Sequence, residues 1–266
     1  MEMYDSLSKD YDYFVNWPER LAYEMPFIEA QIRSVVGEAY PVKVLDAACG
    51  TGMHVIALAQ AGFAAAGADL SAGMIERAIA NAAAAGVQAD FQTAGFGALA
   101  GRFFGYDALL CLGNSLPHVL SISELAKTLT DFAACLRPGG LLLVQQRNFD
   151  AVLAQHTRWM KSERAGQVGE QEWLFVRFYD FDPDGLITFN IITLVRNGQG
   201  DWQQKVDSTR LYPLRRDELV DALEAAGYEQ IVGYGSMSGE SFDPQNSGNL
   251  VISARVPQSL SNRLEK

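Results

Sequence analysis

The sequence predicts an α/β fold: a doubly wound seven-stranded sheet, parallel where strand and helix alternate, with helices on both faces and an antiparallel β meander inserted late in the chain. Two observations carry this. Between residue 42 and about residue 148, apolar β-type runs alternate with helical patterns across short glycine-containing turns. Repeated strand, helix, strand units of this kind build parallel sheets. Residues 172–213 then break the alternation with three period-2 or apolar runs, EWLFVRFYDF, LITFNIITLVRN and WQQKVDSTRLYPL, separated by DPDG and NGQGD. Such turn sequences join antiparallel hairpins.

Taken in order, residues 1–41 read as an aromatic-rich arm followed by the helix ERLAYEMPFIEAQIRSVVG, with Gly37 as its stop signal. KVLDAAC is a buried strand and MHVIALAQAG a helix ended by Gly62. FAAAGAD is the second strand, and Ser71 caps the helix AGMIERAIANAAAA, which stops at Gly86. VQADFQTA and YDALLCLG are strands three and four; Ser121 or Ser123 opens the helix ELAKTLTDFAACL. RPGG then turns the chain into strand five, LLLVQQRN. After the meander, RRDELVDALEAAG is helical, and YEQIVGYGSM and NLVISARV are the closing strands. The expected organisation is one domain over residues 1–266. It has an arm and helix to 41, a cofactor-binding core at 42–150, an insertion at 151–213, a closing helix and strands at 214–256, and a mobile tail at 257–266.

Composition narrows the function. The chain has 266 residues, 48% of them hydrophobic, which is enough to bury a full core. Its net charge of −11 opposes binding to a phosphate backbone. Small-molecule substrates are therefore expected, rather than nucleic acid or an anionic membrane. No apolar run approaches the roughly 20 residues that span a bilayer, and MEMYDSLSKDYDYF lacks a secretory-leader layout, so a cytoplasmic protein is expected. Cys49, Cys111 and Cys135 are odd in number and without C-x-x-C spacing. They read as buried structural thiols, with no disulfide framework and no metal expected.

The chemistry concentrates in VLDAACGTGMHVIALAQAGFAAAGADLS, residues 44–71. Gly50 and Gly52 let backbone approach a ligand, and the following helix points its N-terminal N–H groups at it. Asp69 ends the second strand, where an acid can accept both hydroxyls of a ribose. Asp46 ends the first strand, where it can also organise the glycine turn. These features fit a nicotinamide dinucleotide or an adenosyl compound. The dinucleotide fingerprint requires a third glycine where this chain has Val55.

The run DAACGTG, with Asp69 and the LRPGG before strand five, resembles the nucleoside motif of class I S-adenosylmethionine-dependent methyltransferases, a Rossmann-like fold. With the meander and closing strands the resemblance covers roughly residues 10–256. CLGNSLPHV and QQRNFDAVL are further similar to glycine N-methyltransferase-like small-amine methyltransferases, with Phe149 in place of the family's tyrosine. The resemblance implies S-adenosylmethionine as cofactor and S-adenosylhomocysteine as product. It implies cofactor contacts from Tyr11, Arg20, Asp46, Ala48, Gly50, Gly52, Asp69, Leu70 and Met74, and from Gly95, Phe96, Leu112 and His118. Tyr11 and Arg20 would close over the methionine carboxylate, and Phe96 would cover the adenine, with Gly95 replacing a hydrogen-bonding side chain. Asn114 and Arg147 match positions that bind an acceptor carboxylate, and Tyr212 reaches the same pocket from the meander.

Each residue also has a plainer reading. Arg147, beyond an apolar run at a strand end, requires an anionic partner: a substrate carboxylate or an internal salt bridge. Asn114 is a ligand contact or a turn residue, and His54 a structural or surface residue. No catalytic base is obligatory, because a sulfonium methyl is already electrophilic; His118 is the one candidate for proton transfer. The expected activity is methyl transfer to the nitrogen of a small amino-acid-like amine of the glycine or sarcosine type. The alternatives are an O-methyltransferase of a small metabolite, a noncatalytic adenosyl-ligand sensor and, from another class, a nicotinamide oxidoreductase.

Overall fold

A computed structural model describes residues 15–36, 41–160 and 170–258. The chain opens with α1 (Trp17–Val36), then β1 (Lys43–Asp46), α2 (Met53–Gln60), β2 (Ala64–Asp69), α3 (Ala72–Ala84), β3 (Asp90–Thr93) and β4 (Tyr106–Cys111). A single 3-10 turn at Leu116–His118 leads to α4 (Ile122–Cys135), β5 (Leu136–Arg147) and the short α5 (Phe149–Ala154). Three strands follow, β6 (Gln171–Phe181), β7 (Ile187–Asn197) and β8 (Gln203–Leu211), and then α6 (Arg216–Ala225), β9 (Glu229–Tyr234) and β10 (Asn249–Arg255). Ser121, not Ser123, caps α4: its hydroxyl accepts the Glu124 N–H at 3.2 Å.

The seven-stranded sheet has the order β3-β2-β1-β4-β5-β10-β9. Strands β1 to β5 pair in parallel, whereas β10 runs antiparallel to both β5 and β9. The parallel pairing expected from the strand-helix alternation holds for β1 to β5, and the two closing strands add an antiparallel edge. β9 and β10 are joined without a crossover helix, and such neighbours pair antiparallel. Order reverses between β1 and β4, and ligands of open α/β sheets bind at that crevice.

Both faces of the sheet are covered, so its strands read as continuous apolar runs. Side chains alternate across it: Leu45, Leu109, Leu142 and Ile252 face α4 and α6, where they meet Phe132, Leu219 and Leu223. Val44, Leu110, Leu143 and Val251 face the other way, onto Ile28 and Ile32 of α1 and Val55 and Leu58 of α2. The RPGG run lies within β5 rather than before it. Tyr106 pairs with Leu136 but Ala108 with Leu141, so the proline and glycines bulge out of the strand. Arg137 and Asp107 form an ion pair across this bulge.

The meander forms its own three-stranded antiparallel sheet, β6-β7-β8. DPDG closes its first hairpin, where the Asp182 N–H donates to the Leu186 carbonyl at 3.0 Å. Tyr179, Ile187 and Leu211 pack it onto Phe149 of α5, which anchors the insert beside the end of β5.

Two glycines set how close the first β-α turn comes to the sheet. Gly52 has φ +82°, and a Cβ there would sit 2.9 Å from that of Ala78. At Gly67 in β2, a Cβ would lie 2.8 Å from the Cys49 sulfur and 2.9 Å from the Phe91 ring. Gly67→Ala is therefore expected to destabilise by about 1–3 kcal/mol. Gly101→Ala, where nothing lies within 4 Å, should stay within about 0.5 kcal/mol of the parent. Urea midpoints of the two variants check this pair.

Candidate active site

The chain leaves the sheet after Asp46 and folds back on the end of β2. Cys49 N–H donates to the Ala68 carbonyl at 2.9 Å, Gly50 N–H to Asp69 Oδ2 at 2.9 Å, and Gly52 N–H to the Cys49 carbonyl at 2.9 Å. The other oxygen of Asp69 accepts the Ser71 N–H at 2.9 Å. Ser71 in turn caps α3 through its hydroxyl, which accepts the Met74 N–H at 3.1 Å. Asp69 therefore holds the turn, the task the sequence suggested for Asp46. Asp46 is buried and accepts one long bond, from Ala48 N–H at 3.3 Å.

Helix α1 presents Trp17, Arg20 and Glu24 towards this turn. Arg20 Nε donates to both carboxylate oxygens of Glu24, at 3.0 and 3.1 Å. Glu24 Oε2 lies 2.7 Å from His54 Nε2, at the start of α2. The Trp17 ring stands edge-on to His54 at 5.5 Å and beneath the Arg20 guanidinium at 5.2 Å. Burial alone would raise the Glu24 carboxyl. The hydrogen bond with His54 and the Arg20 charge outweigh it and hold Glu24 below the usual carboxylate range. Arg20 is fixed through Nε, which leaves its outer nitrogens facing Gly113, where a Cβ would come 3.6 Å from Nη2.

A cleft opens here, lined by Trp17, Arg20, Asp46, Ala48, Cys49, Gly50, His54, Leu112, Gly113 and Ser115. Its far wall is the loop after β4. Gln145 Oε1 accepts the Gly113 N–H at 2.9 Å, and Ser115 Oγ donates to the Leu112 carbonyl at 2.8 Å. Asn114 adopts φ +66°, a left-handed conformation that asparagine tolerates. Its Oδ1 accepts the Arg147 N–H at 2.9 Å, so Asn114 fastens the end of β5 to the cleft loop. Arg147 is half-buried and forms no ion pair with any carboxylate of the described residues. The internal salt bridge that the sequence left open is absent there. His118, in the 3-10 turn, is part-buried, and burial pushes its imidazole down to about 4.

The structure thus brings Arg20, Asp46, Ala48, Gly50 and Leu112 to one cleft, with Asp69 one hydrogen bond away from it and Asn114 in the chain between the lining residues Gly113 and Ser115. Gly52 stands behind the turn. Leu70 is 56% exposed and lies over Gly95, where a Cβ would meet its Cδ1 at 2.8 Å. Phe96 sets its ring edge-to-face on Phe132 at 5.2 Å. Asp131 holds that loop by accepting the N–H groups of Gly97, Leu99 and Ala100 at 2.8–3.0 Å. Met74 is buried in the core. The Tyr212 hydroxyl donates to Glu218 at 2.9 Å, at the start of α6, away from the cleft lining. Tyr11 lies outside the described residues. Sequence reasoning passed over Glu24 and took His54 as a structural or surface residue; it is buried and also lines the cleft. The i, i+3, i+7 spacing of Trp17, Arg20 and Glu24 was a usable signal for one helix face. Nothing in the sequence ties Glu24 to His54.

Asp46 generates a pH dependence. Burial pushes its carboxyl from 3.8 up to about 6, with the His54 charge opposing and the Asp69 charge reinforcing. A raised folded-state value means that the fold favours the protonated acid. That contribution is complete below about pH 4 and is lost as pH rises through 6. Asp46→Asn should thus stabilise the ligand-free protein by about 1–3 kcal/mol above pH 7 and by nothing below pH 4. Thermal melts across this range would read it, and a difference independent of pH contradicts it.

A family model for a methyltransferase domain matches residues 44–140. Over 242 residues the chain is 30% identical to the glycine/sarcosine N-methyltransferase of Halorhodospira halochloris, covering 88% of this chain and 81% of that protein. It is 31% identical over 244 residues to the glycine/sarcosine N-methyltransferase of Aphanothece halophytica, covering 88% and 82% respectively. Among solved structures, an S-adenosylmethionine-dependent methyltransferase from Clostridium acetobutylicum ATCC 824 shares the fold. The TM-score is 0.73 over 89% of this chain and 92% of that one, at 16% identity. The chain belongs to the class I S-adenosylmethionine-dependent methyltransferases, in the family of the glycine/sarcosine N-methyltransferases.

Proposed function

We propose that this enzyme methylates the nitrogen of a small amino-acid-like amine, of the glycine or sarcosine type, and that Arg147 grips the acceptor's carboxylate. One observation carries the reading: a half-buried guanidinium at the carboxyl edge of the sheet, without a counter-ion among the described residues. Removing such a charge from water is costly until an anion meets it. A carboxylate suits its planar fork with two parallel hydrogen bonds. The names of the two relatives support an amine acceptor.

The cleft residues fit S-adenosylmethionine. Asp69, an acid at the carboxyl end of β2, suits ribose hydroxyls, and the outer nitrogens of Arg20 suit the methionine carboxylate. At Gly50 a Cβ would meet nothing within 4 Å, so the turn is open to a ligand. Ala48, Gly52 and Leu112 shape the same cradle. Leu70, Gly95 and Phe96 form an apolar strip next to Asp69 for the adenine, with Met74 supporting it from the core. Tyr212 is left out of this reading, since its hydroxyl is engaged by Glu218.

When bound, S-adenosylmethionine supplies a methyl group already activated on a sulfonium. The chain's remaining task is to hold a neutral amine in line with it. Orientation at about 3–3.5 Å contributes roughly 7–11 kcal/mol of barrier lowering. Asn114 fixes Arg147, and Arg147 fixes the far end of the acceptor, so the nitrogen is presented in one pose. The amine's proton leaves to water; His118, neutral above about pH 4, is a proton acceptor this scheme does not require.

Calorimetric titration with S-adenosylmethionine and S-adenosylhomocysteine, paired with methyl-transfer assays on glycine, sarcosine and a panel of small amines and hydroxy acids, tests the proposal. Asp69→Ala should weaken cofactor binding roughly 100-fold. Arg147→Ala should leave cofactor binding unchanged and lower kcat/KM for the amine at least about 100-fold. Equal losses of both in Arg147→Ala would sink the anchor role. Turnover of hydroxy acids alone would replace N- with O-methylation.

A further inference from the structure

Tyr179 of β6 is 2% exposed, and its hydroxyl has no hydrogen-bond partner among the described residues. Its ring is clamped between Phe149, 6.2 Å away between centroids, and Phe189 at 5.7 Å. The backbone is tied as well: Tyr179 N–H donates to the Arg158 carbonyl at 2.8 Å. Phe149 begins the helix that follows Arg147 and Asn148, so the tyrosine and the unpaired guanidinium sit against the same corner of the sheet.

The field at this hydroxyl is positive. Burial pushes the phenol up to about 12, and the charges of Arg147 and Arg177 oppose the rise. A buried hydroxyl without a partner is rare in native structures. A guanidinium can donate to the phenolic oxygen but cannot accept its hydrogen, so the O–H still calls for an acceptor. An oxyanion would accept the phenolic hydrogen and the guanidinium hydrogens together. A neutral acceptor would take the phenolic hydrogen but leave Arg147 without its counter-charge, and a cation would do neither.

We propose that Tyr179 is a substrate-binding residue whose hydroxyl donates a hydrogen bond to the carboxylate held by Arg147, so that the inserted sheet forms one side of the acceptor's anionic subsite. This rests on the reading of the acceptor as an amino-acid-like amine. It makes small amino carboxylates the favoured class and selects against amines that lack an anionic group. The core of the fold then supplies the cofactor cleft and one arginine, while the insert supplies the discriminating hydroxyl.

Tyr179→Phe removes one oxygen and keeps the clamped ring, so its unfolding midpoint should equal or exceed the parent's. Acetate, titrated calorimetrically into protein saturated with S-adenosylhomocysteine, with chloride as the ionic-strength control, reads the subsite without turnover. The parent should bind acetate, Tyr179→Phe should bind it roughly tenfold to a hundredfold more weakly, and cofactor affinity should not move. KM for the amino-acid acceptor should rise in step, and turnover of a simple amine without a carboxylate should be equal in both proteins. Acetate bound equally by parent and variant, or not bound by the parent, overturns the proposal. Acetate binding that weakens in the variant, in a parent that methylates no amino acid, upholds the anionic subsite and sinks the amine acceptor alone.

Discussion

The carboxylate of Asp69 closes the glycine turn onto the second strand, and the rest of the site is hung from that closure. Its two oxygens take the N–H groups of Gly50 and Ser71, both at 2.9 Å. One bond fixes the turn that leads into α2, and the other sets the start of α3. The closure is possible because Gly67 has no side chain to block Cys49 and because Gly52 lies against Ala78 and Phe91. With the turn seated, the N-terminus of α2 faces the crevice between β1 and β4. That helix end carries partial positive charge and unpaired N–H groups, which suits the ligand chemistry of this family.

Against this rigid side stands a charged layer from α1. A buried ion pair is weak support for stability, because desolvation offsets most of its attraction. Its worth here is geometric. Glu24 is shared by Arg20 and His54, so one carboxylate orients the arginine and joins α1 to the helix behind the turn. Asp46, in the cleft lining, shows the contrast: with one long backbone bond and complete burial, its charge is poorly compensated and its carboxyl is raised to about 6. Two acids in one pocket are thereby separated in behaviour by their partners.

The acceptor side is built by tying loops to strand ends. Asn114 spends its side-chain oxygen on the Arg147 backbone, and Gln145 spends its own on Gly113. These bonds fix where Arg147 leaves β5 without using its guanidinium. The meander then leans on the same corner through Tyr179, Ile187, Leu211 and Phe149. On the proposed reading, cofactor binding and acceptor choice fall to different parts of the chain, the first to turns of the parallel sheet and the second to the junction with the insert.

Much of the fold was legible because it follows from local periodicity and turn chemistry. The alternation of apolar runs, the capping serines Ser71 and Ser121, and the DPDG hairpin each depend on residues adjacent in sequence. The seven strands and the separate meander follow from them. The glycine turn and the acid at Asp69 were legible for the same reason: fixed spacing puts them at the carboxyl ends of neighbouring strands. What the sequence left open depends on pairs far apart in the chain. The antiparallel placement of β10 against β5, the bulge that absorbs RPGG, the exchange of tasks between Asp46 and Asp69, and the Glu24–His54 contact are all set by which surfaces meet. So is the partner of a buried polar group: Tyr212 found Glu218, while the Tyr179 hydroxyl has no acceptor among the described residues. Periodicity says which side of a strand or helix a residue occupies, but hydrogen bonding and charge compensation are decided only when those sides are brought within a few ångströms.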